Sequence, residues 1–171
     1  MSQLTPSYVR YVQFPRRLAC YLCIQTIIKM EKIEHINYIK SPIAKVYEAL
    51  TTQEGLAAVW TEELIVKPEL GFVNEFGFGD NYGTKMKITK LSPNKEIIWE
   101  CIASDPEWVG TGVSFELTEK DGVTAVVLKH FDWRELTEFY QWCNYNWAMF
   151  LLSLKSYCED GQGTPYQKRK F

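Results

Sequence analysis

Two hydrophobic periods divide the chain. From Leu64 to Phe131 apolar residues alternate with polar ones, as in strands half-buried in a sheet. From Glu135 to Glu159 they recur at three- and four-residue steps, the period of one helical face. That face carries Leu136, Phe139, Tyr140, Cys143, Trp147, Phe150, Leu151, Leu154 and Tyr157, with Trp142, Asn146 and Met149 along its flank. Glu138, Gln141, Asn144, Ala148, Ser153, Lys155 and Ser156 fall on the opposite side. No Gly or Pro interrupts the run. It ends at Gly161-Gln162-Gly163-Thr164-Pro165, where glycine accepts a left-handed cap and proline cannot continue. At 1.5 Å per residue such a helix is about 37 Å long, enough to cross a whole sheet.

The upstream elements come in an informative order. Ile33 to Ile39 alternates as a first strand. Ser41-Pro42 predicts a helix start, with serine as cap and proline at the first helical position, and Ile43, Val46 and Leu50 inside. Thr51-Thr52-Gln53-Glu54 reads as a break with a new cap, followed by a second short helix, Gln53 to Trp60. Strands follow at Leu64–Val66, at Phe72–Phe78 (Phe72, Asn74, Phe76 and Phe78 on one face), and from Tyr82 (Tyr82, Thr84, Met86 and Ile88 on one face). Further strands contain Ile97, Trp99 and Cys101, then Val113, Phe115 and Leu117, and finally Val123 to Phe131. Asp80-Asn81-Tyr82-Gly83, Ser92-Pro93-Asn94-Lys95 and Asp121-Gly122 have the chemistry of tight turns. A loop from Ala103 to Gly112 holds Trp108. Consecutive strands joined by tight turns make an antiparallel meander, with helical cover from the two ends of the chain. The fold class is α+β.

Composition narrows the function classes. The length suits one sizeable core, and a net charge of −2 does not imply a nucleic-acid partner. Six Trp, ten Tyr and nine Phe will dominate that core. Five cysteines, an odd number without framework spacing, are expected as reduced thiols in a cytoplasmic protein. No run reaches the ~18 apolar residues of a membrane span. Met1 to Lys29 carries +4 against −6 for the remainder and is expected to lie outside the domain, with translation beginning at Met30. It lacks a small-residue cleavage site, and the surroundings of Arg16-Arg17 do not match a twin-arginine signal. Cys20 and Cys23 have C-x-x-C spacing without a second pair or a nearby His, so two small apolar residues are favoured over a zinc site. The domain is expected over 30–163, with 164–171 as a tail.

Four stretches, in this order and spacing, carry a family resemblance. They are Ile39-Lys40-Ser41-Pro42-Ile43-Ala44-Lys45-Val46-Tyr47-Glu48-Ala49-Leu50, the tryptophan-bearing helix Gly55–Trp60, Val127-Leu128-Lys129-His130, and Leu154-Lys155-Ser156-Tyr157-Cys158-Glu159-Asp160-Gly161. Over about Ile33 to Gly163 the chain resembles the START-like (SRPBCC) superfamily. Within it, the chain is most similar to the branch named after activators of the heat-shock-protein-90 ATPase. Lys129 departs from the small polar residue commoner at that position, and Met1–Lys29 has no counterpart. The resemblance implies a helix-grip fold, a curved antiparallel sheet wrapped around a long C-terminal helix. It leaves function open, because the superfamily includes lipid carriers, hormone receptors, cyclases and co-chaperones.

The chain shows no Gly-rich phosphate loop, metal-ligand cluster or nucleophile elbow, and no cofactor is implied. His130 shares a strand face with Thr124, Val126 and Leu128 and should point toward the long helix. There it either contacts a ligand or is satisfied internally and only packs, the latter being favoured. Candidate cavity-lining residues are Trp60, Phe72, Asn74, Phe76, Phe78, Met86, Trp99, Trp108, Phe115, His130, Cys143, Asn146 and Trp147. The first expectation is non-covalent binding of an apolar or amphipathic small molecule in this cavity. The second is a protein-interaction module, with a chaperone or other protein as partner and a core filled by its own rings. The third is a cyclase-like enzyme using His130. A void of about 300 Å³ or more favours the first over the second.

Overall fold

The computed structural model describes residues 31–79 and 82–170. The elements follow as β1 (Glu31–Ile39), α1 (Ile43–Thr51), α2 (Gln53–Val59), β2 (Glu63–Ile65), β3 (Val73–Gly77), β4 (Gly83–Ser92), β5 (Glu96–Ala103), β6 (Gly112–Lys120), β7 (Val123–Trp133) and α3 (Glu138–Asp160). A 3-10 turn follows at Tyr166–Lys168. The expectations about Met1–Lys29, Cys20, Cys23 and a start at Met30, and the Asp80-Asn81 half of the first hairpin, fall outside the described residues.

One seven-stranded sheet runs β1-β7-β6-β5-β4-β3-β2, with every neighbouring pair antiparallel. The meander over β2–β7 follows from local turn chemistry. Asp121 (φ 52°) and Gly122 (φ 74°) both sit at positive φ, as a two-residue hairpin requires, and Asn94 (φ 56°) serves the β4–β5 hairpin. Gripping is achieved by β1, which returns to pair with β7 and holds α3 across the sheet. Asn37 Nδ2 donates to the Leu151 carbonyl (2.9 Å), and His35 Nε2 lies 2.9 Å from Asn144 Oδ1. This is the α+β helix-grip architecture expected above.

α3 starts where Thr137 Oγ1 accepts from Tyr140 N (3.0 Å) and stops at Gly161 in the left-handed region (φ 77°). Its inner face, including Cys143, Trp147, Phe150, Leu151 and Leu154, is buried against Val46, Leu50, Leu56 and Val59 of α1–α2 and the inward residues of the sheet. Each large apolar side chain so buried contributes about 1.5–3 kcal/mol relative to exposure.

Four local expectations are corrected. Ser41 does not cap α1: Pro42 occupies the cap position, and Glu119 Oε2, reaching from β6, accepts from Ile43 N (2.7 Å). Leu136 precedes the helix and is exposed. Ser153, placed on the outer side, is buried, because the returning C-terminal segment puts Thr164 N on its Oγ at 2.7 Å. Residues 164–170, expected as a tail, pack onto the end of α2: Tyr166 N donates to Trp60 O (2.7 Å), Gln167 Nε2 to Thr61 Oγ1 (2.8 Å), and Lys168 pairs with Glu62 (2.6 Å).

β7 also runs two residues beyond the expected Phe131, through a bulge. Glu31 faces Trp133 while Ile33 faces His130, so β7 holds one extra residue there, and Asp132 takes φ 67°. Simple alternation would turn residue 132 inward. The bulge buries Trp133 instead, with its ring centroid 4.6 Å from that of His130.

Candidate functional site

Aromatic rings fill most of the space between sheet and helix. Trp60, at the end of α2, has ring centroids 4.3 Å from Phe76, 5.4 Å from Trp147 and 5.7 Å from Phe150, and it lies parallel to Trp99 at 5.9 Å. Trp99 in turn meets Phe115 edge-on at 5.1 Å. Such offset and edge contacts are the favourable ring geometries, each contributing about 0.5–1.5 kcal/mol beyond burial. Phe76, Met86, Trp99 and Phe115 are thus packed into the core, and Asn74 is buried beside them, its Oδ1 accepting from Lys67 N (3.4 Å). Phe72 lies half-buried at the edge of the core under the Lys67 ammonium, 5.4 Å from its ring centroid.

His130 belongs to this packed interior. It is fully buried. Its Nδ1 accepts from Trp147 Nε1 (3.0 Å), and Nε2 lies 2.8 Å from Thr111 Oγ1. The Thr111 hydroxyl donates to the Trp108 carbonyl (2.7 Å), so it serves as acceptor for a proton on His130 Nε2. That arrangement selects the neutral Nε2–H tautomer. Burial drives the imidazole pKa down to about 3. Both nitrogens are engaged and the ring is uncharged, so His130 has no lone pair to offer a substrate. Its partners are the Trp147 indole and the Thr111 hydroxyl, so the ring is satisfied internally.

Space remains at one end. A cleft of about 220 Å³ opens between the first half of α3, the β3–β4 end of the sheet and the C-terminal segment. α3 presents Phe139, Trp142, Cys143, Asn146 and Trp147, which are three and four residues apart and therefore share a helix face. Trp60, Phe78, Tyr82, Thr84, Trp108, Tyr166 and Arg169 complete the lining, with Trp60 meeting Trp147 at 5.4 Å. Larger depressions of about 490 Å³ along β2–β4 and beside α2 are more open to solvent.

Of the sequence candidates, the structure brings Trp60, Phe78, Trp108, Cys143, Asn146 and Trp147 together around this cleft. Phe72, Asn74, Phe76, Met86, Trp99, Phe115 and His130 are not on its wall. Tyr82, Thr84, Phe139, Trp142, Tyr166 and Arg169 line it without having been singled out. Phe139 and Trp142 had a signal in the helical period; the two C-terminal residues had none.

The loop bearing Trp108 is held in place. Gly110 N donates to Cys101 O and Cys101 N to Thr111 O (both 2.9 Å), Arg134 Nη2 binds Val109 O (2.6 Å), and Glu107 bonds the Thr137 hydroxyl at the start of α3. Trp108 therefore roofs His130 edge-on at 4.8 Å and lies near-parallel to Trp147 at 6.0 Å, while its Nε1 points at Cys143 Sγ (3.2 Å). Burial pushes the Cys143 thiol up to about 12. It is an inert neutral thiol at neutral pH, not a nucleophile. Polar groups on the cleft wall are few: Thr84 and Tyr82, both bonded to Ser104 Oγ (2.8 and 3.2 Å), Asn146, and the Arg169 guanidinium. Among the described residues no group of three or more His, Cys, Asp or Glu could hold a metal, and no helix is long and apolar enough to cross a membrane.

The family model for "Activator of Hsp90 ATPase homolog 1-like protein" matches residues 40–159. Among solved structures, the Aha1 dimer from Colwellia psychrerythraea is 40% identical, with a TM-score of 0.73 over 78% of this chain and 100% of that one. Protein MLL2253 from Mesorhizobium loti (20% identity, TM-score 0.66, 74% of this chain and 95% of that one) shares the fold. So does protein BH1534 from Bacillus halodurans (22%, 0.62, 75% and 97%). No protein of curated function matches the chain. The chain belongs to the family of activator of Hsp90 ATPase homolog 1-like proteins, within the START-like superfamily.

Proposed function

We propose that this protein binds a small, flat aromatic molecule non-covalently in the cleft between α3 and the β3–β4 end of the sheet. The observation that carries the reading is the wall of the cleft. Trp60, Phe78, Trp108, Phe139, Trp142 and Trp147 surround an open space in an interior that is otherwise packed. Ring faces offer stacking to another ring, and the few polar side chains offer orientation. At about 220 Å³ the space falls short of the about 300 Å³ that by volume alone would favour a small molecule over an interaction module, so the reading rests on the ring-lined wall, and the occupant is one or two fused rings rather than a lipid or a polyketide. His130, saturated and neutral, supports packing and supplies no acid–base chemistry, so the reading is binding rather than turnover.

The test is native mass spectrometry of the protein purified from its own or a related host, followed by titration with one- and two-ring aromatics under tryptophan fluorescence. A stoichiometric co-purified aromatic, or saturable quenching that Trp147→Ala removes, is the expected result. Absence of both overturns the reading.

A second reading, an interaction module, rests on a different surface. Tyr145 and Leu152, one above the other on α3 and outside the cleft, are about half exposed, and the 40%-identical relative is described as a dimer. On this reading the flank of α3 meets a second copy of the chain. Sedimentation of the wild type against Tyr145→Glu/Leu152→Glu tests it: a dimer lost on substitution is expected, and a monomeric wild type removes it.

A further inference from the structure

We infer that the cleft selects an aromatic anion, with Arg169 as its charge partner; the inference rests on the small-molecule reading above. Arg169 lies on the rim of the cleft, half-buried, in the C-terminal segment that closes it. Its Nε donates to Thr164 O and its Nη2 to Val59 O, both at 3.1 Å. Those bonds use two of the five N–H donors that a guanidinium carries. Nη1 has no protein partner among the described residues and is not among the buried, unsatisfied side-chain atoms, so its two N–H groups are open to solvent.

No carboxylate pairs with Arg169 among the described residues. Glu62, on the neighbouring turn, is taken by Lys168 at 2.6 Å. Burial works against the charge of Arg169, and the Tyr166 phenol is the one group that favours it. An arginine nonetheless stays protonated, and a half-buried cation without a counter-charge is an unfavourable arrangement unless something else supplies the charge. The other side chains around the cleft are aromatic rings, hydroxyls, an amide and a neutral thiol. The guanidinium is thus the only charge on that wall among the described residues. Its two fixed bonds hold its plane in place, which favours paired N–H contacts to a planar carboxylate or to a sulfonate or phosphate.

Arg169 has a competing role as a bolt. By bonding Val59 O it satisfies a carbonyl at the end of α2 and clamps the C-terminal segment. A bolt treats charged and neutral ligands alike. The experiment therefore compares two ligands of one shape, 1-naphthoate and 1-naphthamide, by calorimetry on the full chain, with wild type, Arg169→Gln and Arg169→Lys. The expected result is that wild type binds the carboxylate at least about tenfold tighter than the amide, in keeping with a charge-assisted pair. Arg169→Gln should bring that ratio to about one while leaving amide affinity within a few-fold, and Arg169→Lys should restore part of it. Because the readout is a ratio within one protein, loss of folded material does not mimic it. Equal affinity of wild type for the two ligands overturns the inference and leaves the aromatic cleft intact. Binding of neither overturns both.

Discussion

The indole N–H of Trp147 donates to Nδ1 of His130 at 3.0 Å, and this bond joins the long helix to β7, the strand next to the β1 edge of the sheet. It links an α3 side chain that also lines the cleft with a β7 side chain that does not. Replacing Trp147 by Phe keeps a ring but leaves a buried acceptor unpaired. The expected loss is about 1–3 kcal/mol of unfolding free energy in urea. Thr111→Val should act on the other nitrogen with a similar cost. The double variant should cost less than the two losses together, since the same imidazole is stranded in both. Strict additivity would show that the two bonds do not form one network.

The neutrality of His130 has a pH signature. Its folded pKa, about 3, lies below the unfolded value near 6.5, so the unfolded chain takes up a proton that the folded chain refuses. Above pH 6.5 neither state is protonated and this site adds no pH dependence. As pH falls from 6.5 toward 3, stability declines by about 1.4 kcal/mol per unit from this site alone, and below the folded value the decline stops. Urea melts at about pH 7.5 and pH 5.5, on wild type and His130→Gln, isolate the effect. The gap between the two proteins should narrow by about 1 kcal/mol at the lower pH. A gap that stays constant would mean that the folded imidazole titrates normally.

Helix packing supplies a sharper steric test. Gly55 lies where α2 crosses α1, and a Cβ there would stand 2.4 Å from Ala49 Cα and 2.6 Å from Ala49 O. Both obstacles are backbone, so no side chain can swing away. Gly55→Ala is expected to cost about 1–3 kcal/mol, although alanine favours a helix intrinsically by up to about 1 kcal/mol. Gly122→Ala, with nothing within 4 Å of the added carbon, should lose only the backbone preference for positive φ. Thermal melts of the two variants should therefore rank Gly55→Ala as the more damaged.

Which features were legible in the sequence depends on whether their cause is local. The α3 stripe from Phe139 onward, the turns at Asn94 and Asp121-Gly122 and the Thr52 cap are each set by residues within a few positions, and the chain reads correctly there. The inward set Thr124, Val126, Leu128 and His130 is legible for the same reason. Reading fails where a distant segment decides. The Glu119 carboxylate caps α1 from another element, the bulge at Asp132 turns Trp133 inward, and the C-terminal segment covers Ser153 and supplies Tyr166 and Arg169. Gln167-Lys168-Arg169-Lys170 looks like any solvated basic end. Among the aromatic candidates, strand periodicity shows which face a ring occupies. It does not show whether that ring fills space, as Trp99 does, or borders it, as Phe78 does.

Trp108 provides the last test, because it separates a wall from a lid. Its indole covers Cys143, whose Sγ accepts from Nε1 at 3.2 Å, and burial holds that thiol up at about 12. Thiol reagents attack the thiolate, so wild-type Cys143 should be modified slowly at neutral pH. Trp108→Ala removes the ring but leaves the loop anchored through Gly110, Thr111 and Arg134, so the backbone around the cleft should survive. Water then reaches Sγ, the desolvation that raises the thiol weakens, and alkylation of Cys143 should accelerate by about tenfold or more. Peptide mapping after a timed iodoacetamide pulse distinguishes this site from Cys101 and Cys158, both buried and both raised to about 11. Those two act as controls within the same molecule. If they accelerate along with Cys143, the substitution has loosened the whole domain, and Trp108 is part of the core. If Cys143 alone responds, the indole is a local cover over the cleft, and its removal should also widen the range of ring sizes that the cleft accepts.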